Sequence, residues 1–189
     1  YSDQLNYAVN DAKAVKDMLI SKFDFPEKNI RYLTDEEATL SNIKLNLGEV
    51  ATSAGENDRI LVFYSGHGET LEGADGSKKG YIIPYEGKQD NPFGTGFSMS
   101  EIATTAQMSK AKHMLFLMDA CYSGLMKENV KGLSKSQEKG YLSKVANEQA
   151  RQIITAGGGD EQVIERDEWQ HSAFTKNLIE GLDTWEADS

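Results

Sequence analysis

Two apolar runs of strand length, Ile60 to Tyr64 and Met114 to Met118, each lead directly into a loop carrying glycine and chemically reactive groups. The first continues as Ser65-Gly66-His67-Gly68 and the second as Asp119-Ala120-Cys121-Tyr122-Ser123-Gly124. A short apolar run between turn signals is the pattern of a strand covered on both faces, as in a parallel sheet. Around these runs the apolar spacing is helical. Val9, Ala12, Val15, Leu19 and Phe23 predict a helix over 10–22 that stops before Pro26, and Ile43, Leu47 and Val50 mark a second that ends before Gly55. Ser98-Met-Ser-Glu101 reads as a capping box opening a helix to about Met108. Ser172 reads as the N-cap of a last helix whose inner face is Phe174, Leu178, Ile179 and Leu182. Further strands are expected at Ile30–Leu33, Tyr81–Ile83 and Gln152–Thr155. Strands alternating with helices imply an α/β sandwich, with helices on both faces of a mostly parallel central sheet. Sites in such sheets lie beyond the carboxyl ends of the strands, which is where both reactive loops begin.

Composition narrows the class of function. With 189 residues the chain reads as one domain, and 30 acidic against 20 basic side chains give a net charge of −10. That charge repels phosphate backbones and anionic headgroups, so neither nucleic acid nor a membrane surface is an expected partner. The apolar runs of five residues are far short of the ~18 needed to span a bilayer. A single cysteine, Cys121, closes no intrachain disulfide and suits a reducing compartment, so the cytoplasm is the expected location. The chain opens on Tyr1 without a signal-peptide pattern, and reads as a piece of a longer product.

Loops at neighbouring strand ends can bring a thiol and an imidazole together across a cleft. In such a pair Cys121, as thiolate, attacks a carbonyl while His67 protonates the leaving amine and then activates water. The backbone N–H groups of Gly68 and Cys121 are the candidate oxyanion donors. The plainer reading of a lone cysteine is a small buried hydrophobe, and of a lone histidine a structural one. Position favours chemistry: Cys121 follows a strand and a carboxylate, and His67 sits between glycines with little core to fill. His113, opening a strand, and His171, just before a helix cap, keep the structural reading.

With these motifs in place the sequence resembles the caspase and metacaspase family of cysteine proteases, peptidase family C14, of the bacterial caspase-like kind. Tyr64-Ser-Gly-His-Gly68 is similar to that family's histidine motif and Asp119-Ala-Cys-Tyr-Ser-Gly124 to its cysteine motif. Leu5 to Ala12 resembles the start of its first helix, and His171 to Leu182 its small-subunit helix. The resemblance implies a caspase-like three-layer α/β/α sandwich with the family's first strand missing from this chain. It implies His67 and Cys121 as the dyad and Gly68 and Cys121 as the oxyanion hole. It divides the single domain, 1–189, into a large-subunit-like part at 1–124, an exposed basic linker at 125–151 and a small-subunit-like part at 152–189.

Specificity follows from the same resemblance. Asp11 and Asp119 match positions where metacaspases place acidic side chains in the S1 pocket, and Ser65 matches a polar wall residue of that pocket. The implied activity is an endopeptidase cutting after Arg or Lys, with protein or peptide substrates and with further domains or subunits of the parent protein as partners. Each pocket residue also has a local reading: Asp11 as a helix cap, Asp119 as an acceptor of strand-end amides, Ser65 as turn chemistry. Arg166, six residues before Ser172, stands near where caspases supply a substrate-binding arginine and is read as coincidence; it keeps an Asp-specific protease open. A non-catalytic scaffold of the same fold and a redox-sensing thiol also stay open at this point. The linker, with Lys127, Lys131, Lys135, Lys139, Lys144 and Arg151, is the expected place of activating cleavage. No cofactor is expected to be required. Calcium is a candidate through Glu69, Glu72, Asp75, Glu86 and Asp90, although no EF-hand spacing is present and solvated acidic loops are the preferred reading.

Overall fold

The computed structural model describes residues 5–120, 150–156 and 164–185. Strand β1 (Arg59–Ser65), β5 (His113–Asp119) and β6 (Ala150–Thr155) form a parallel sheet in the order β1-β5-β6. The register pairs Tyr64 with Met118 and Ser65 with Asp119, so both reactive loops leave the same edge of the sheet. A second, antiparallel sheet of β2 (Gly68–Glu72), β3 (Lys78–Ile82) and β4 (Phe97–Ser98) follows the histidine loop, and β7 (Glu165–Arg166) pairs with β8 (His171–Ser172) as a small hairpin.

Helices cover the parallel sheet on both faces, and the two-residue period of the strands decides what each face receives. Ile60 and Val62 of β1 and Met114, Phe116 and Met118 of β5 point toward helix α2 (Leu40–Ser53). There they pack with Ile43, Leu47 and Val50, and with Ile102 and Ala106 of α4 (Met99–Gln107), which follows the single turn α3 (Pro92–Thr95). The intervening residues point the other way, toward α1 (Ala8–Lys22) and α5 (Ala173–Trp185): Ser65 reaches α1 and Asp119 reaches α5. α1 buries Val15, Met18 and Leu19, and its Lys22 is ion-paired with Asp183 of α5.

The expected capping box is present: Ser98 Oγ accepts from Glu101 N–H at 3.2 Å, and the Glu101 carboxylate accepts from Ser98 N–H at 3.3 Å. Three expectations need correction. Ile30–Leu33 is extended chain outside any sheet, because among the described residues no neighbouring strand offers its amides a mate. β1 is not covered on both faces along its length; only Ile60 is fully buried. Among the described residues β1 is an edge strand, and beside it lies a cavity of about 720 Å³ lined by Leu19, Phe23, Ile30, Leu33, Ile43 and Leu47. Finally, the segment read as linker to 151 ends earlier, since Ala150 and Arg151 open β6. The Arg151 guanidinium donates to the carbonyls of Ser109 and Lys112 at 3.1 Å each, and its backbone is paired with β5 opposite Met114, so it is held strand and not exposed linker. Residues 125–149 of that linker lie outside the described residues. Among the described residues, no helix is long and apolar enough to cross a membrane.

Candidate active site

The histidine loop is pinned by its backbone. The carbonyl of His67 accepts from Ile83 N–H at 2.9 Å and from the Tyr64 hydroxyl at 2.8 Å. The same hydroxyl lies 2.9 Å from the carbonyl of Ile83, and burial pushes its pKa far above the ordinary tyrosine range, so it remains a donor. Gly66 N–H donates to the carbonyl of Asp119 at 3.2 Å, tying this loop to the end of β5. A Cβ at Gly66 would stand 2.5 Å from the Tyr64 hydroxyl oxygen, so only glycine lets the chain pass over that ring. Gly68 opens β2 opposite Ile82. Past Asp119 the chain runs through Ala120 into Cys121, which lies outside the described residues.

Beside these strand ends is a buried cluster of polar groups. Asp11 is fully buried in the first turn of α1 and Asp119 is 1% exposed at the end of β5. Asp11 Oδ2 accepts from Ser65 Oγ at 3.3 Å, and Oδ1 is 2.7 Å from His171 Nδ1. Ser172 N–H lies 3.3 Å from both oxygens of Asp11, and the Ser172 hydroxyl donates to Asp119 Oδ2. Thr175 Oγ1 donates to the same oxygen at 2.7 Å. One residue, Ser172, therefore bridges the two carboxylates, while its oxygen also caps α5 by accepting from Thr175 N–H at 2.9 Å. Among the described residues, Asp119 Oδ1 has no hydrogen-bond partner.

A buried carboxylate loses hydration, which favours its neutral form. Burial, with smaller contributions from the charges of Asp11 and Glu165, pushes Asp119 from 3.8 up to about 6 against the opposing hydroxyl bonds. Burial likewise raises Asp11, and the contacts from His171, Ser172 and Ser65 oppose that rise. Asp119 thus stands close to accepting a proton near neutrality, and a cation brought between the two groups would favour their ionised forms.

The structure brings Asp11, Ser65 and Asp119 into one network. Tyr7, not Asp11, occupies the cap position of α1, and Ser65 closes β1. Among the described residues Asp119 accepts from the hydroxyls of Ser172 and Thr175. His113 opens β5 as expected, whereas His171 sits against Asp11 as well as preceding the cap. The sequence pattern does not mark Thr175 or Glu165; the one signal for Thr175 is its place one turn past a capping serine. Arg166 is exposed on β7, 4.9 Å from the ring centre of Trp169. Among the described residues no three of His, Cys, Asp and Glu gather closely enough to hold a metal ion. Of the acidic loop residues, Asp75 accepts from Ser77 within a hairpin turn and Glu86 caps the start of α2 through Leu40 N–H at 3.0 Å.

The family profile of the caspase domain matches residues 1–189. The chain belongs to the caspase-domain family. Among its relatives are Metacaspase-1 of Eremothecium gossypii, 28% identical over 137 residues, and Metacaspase-6 of Arabidopsis thaliana, 26% identical over 169. These alignments cover 65% and 82% of this caspase domain but only 29% and 44% of the relatives. Metacaspase-1A of Aspergillus oryzae is 25% identical over an alignment covering 96% of the chain and 49% of the relative. The caspase domain thus spans less than half the length of these relatives. In fold it is similar to a solved protein of Geobacter sulfurreducens, with a TM-score of 0.54 at 18% identity over 66% of this chain and 44% of that one.

Proposed function

We propose that this caspase domain is a cysteine endopeptidase that cleaves polypeptides after arginine and, less efficiently, after lysine. The observation that carries the reading is the buried pair Asp11 and Asp119, bridged by Ser172 at the sheet edge from which both reactive loops depart, with Asp119 Oδ1 unpartnered among the described residues. A buried anion without a full set of donors is costly, and a guanidinium supplies five N–H donors in a planar fork. Charge-assisted, bidentate bonds to carboxylates favour arginine over the point charge of lysine. A substrate aspartate in the same place would add like-charge repulsion to its own desolvation.

In the chemical step the Cys121 thiolate attacks the scissile carbonyl carbon, forming the S–C bond while the carbonyl electron pair moves onto oxygen. The N–H groups of Gly68 and Cys121 receive that oxyanion. Collapse breaks the C–N bond, and His67 delivers its proton to the departing amine. His67 then takes a proton from water, whose oxygen attacks the thioester, releasing the new carboxylic acid and returning the thiolate. The hydrogen bonds that fix the His67 carbonyl support this role by limiting the directions the imidazole can take.

The test is hydrolysis of arginine peptides by wild type, Cys121→Ala and His67→Ala, alongside labelling with iodoacetamide. Cys121→Ala is expected to be inactive and His67→Ala reduced by at least about a thousandfold, since the two act as a unit. Full activity in Cys121→Ala would overturn the mechanism.

A further inference from the structure

We infer that His171 is a positioning residue that sets the preference for a cationic side chain, by holding Asp11 as an aimed anion within the acidic pocket. The inference rests on the pocket reading given above and assigns a residue to it that lies outside the dyad, the oxyanion donors and the three pocket residues.

The geometry is specific. When Asp11 is ionised its carboxylate only accepts hydrogen bonds, so across the 2.7 Å contact to Oδ1 it is the ring's Nδ1–H that donates. Among the described residues, that proton, Ser172 N–H and Ser65 Oγ are the donors on a carboxylate with no exposed surface. His171 itself is not buried filler, since its side chain is 26% exposed. Its place relative to α1 is set by the β7–β8 hairpin. Glu165 accepts from the N–H groups of Asn6 and Tyr7 at 2.9 and 3.2 Å, and Asp167 accepts from the Tyr7 hydroxyl at 2.6 Å. The carbonyl of Gln170 accepts from Asn10 at 3.4 Å. The hairpin thus grips the start of α1 just before Asp11 and presents the imidazole to it.

The chemical consequence concerns charge and aim together. Without the Nδ1 donor the remaining contacts on Asp11 are long, and burial favours its neutral, rotatable form. The pocket then keeps one fixed carboxylate where it had two. An arginine side chain loses an ionic partner, while an uncharged side chain of the same shape loses little. The reacting carbonyl, held by the dyad loops, is unaffected.

The experiment compares wild type with His171→Asn and His171→Gln on two matched peptides, one ending in arginine and one in citrulline, its uncharged isostere. The amide nitrogen of asparagine can stand where Nδ1 stands; that of glutamine lies one bond further out. For His171→Gln we expect KM for the arginine peptide to rise at least about tenfold, with kcat changed less than about threefold and citrulline kinetics nearly unchanged. His171→Asn should recover arginine KM to within about threefold of wild type. Equal arginine KM in all three proteins would overturn the inference, as would losses shared by both peptides and seen in kcat, the signature of a merely structural residue. Failure of the pocket reading shows separately: wild type alone would then not distinguish arginine from citrulline.

Discussion

The two faces of the parallel sheet are made by the same strands and do opposite work. Toward α2 and α4, β1 and β5 present Ile60, Val62, Met114, Phe116 and Met118 to an apolar core in which Phe116 is 2% exposed. Toward α1 and α5 their last residues are Ser65 and Asp119, and the helices answer with Asp11 and Thr175 in a polar network whose carboxylates are buried. The first face removes apolar surface from water and holds the strands in register. The second buries two carboxylates that ordinary folding would leave in water. Both faces bury apolar side chains, Val15, Met18 and Leu19 of α1 among them, but among the described residues only the second also buries carboxylates, at a cost in stability that the apolar packing must offset. Under the proposed function it is this face that receives the cationic side chain.

The largest predicted effect breaks the apolar face. Phe116→Ala should destabilise the domain by about 3–5 kcal/mol, from lost burial and the cavity left behind. The folded fraction of the variant should retain the wild-type preference between arginine and citrulline peptides. Denaturant unfolding checks the first statement and peptide kinetics the second; a loss below about 1 kcal/mol would mean that this face is not where stability resides.

The opposite sign is expected on the polar face. Burial pushes Asp119 from 3.8 up to about 6 in the folded protein, so folding takes up a proton between those values. Its ionisation costs stability above about pH 6, and that cost, about 3 kcal/mol at pH 7 from the difference between the two values, is relieved as pH falls toward 4. Asp119→Asn removes the charge but sets an amide N–H₂ at the oxygen that has no partner among the described residues. A net gain of about 1–2 kcal/mol at pH 7 is therefore expected, with a flatter dependence on pH and at least about tenfold lower kcat/KM on arginine peptides. Urea melts at pH 5 and 7 provide the readout. A variant less stable than wild type at pH 7 would show that this carboxylate is no burden to the fold.

This division also explains which parts are legible in the sequence. The apolar face can be read directly, because continuous runs such as Met114 to Met118 and the helical spacing of Ile43, Leu47 and Val50 are local patterns. So can the capping serines Ser98 and Ser172, whose partners lie three residues away. The short extended stretch at Ile30–Leu33 misleads because an apolar tetrapeptide carries no information about whether a strand lies beside it. The polar face is reached only through the family resemblance. Asp11, His171 and Ser172 meet across about 160 residues of chain, and nothing in the periodicity around any of them records the others. Arg151 illustrates the same limit: a basic residue in a polar stretch reads as exposed, whereas carbonyls at Ser109 and Lys112 hold it.

The most direct test of the central claim is the relative kcat/KM of the wild-type protein on three fluorogenic peptides that differ only in ending with Arg, Lys or Asp. Two buried carboxylates at the carboxyl edge of the sheet predict arginine first, lysine several-fold lower, and aspartate lower than arginine by at least about a hundredfold, equivalent to about 2.7 kcal/mol. Cleavage after aspartate faster than after arginine would contradict the account, and would turn attention from Asp11 and Asp119 to the exposed guanidinium of Arg166 on β7.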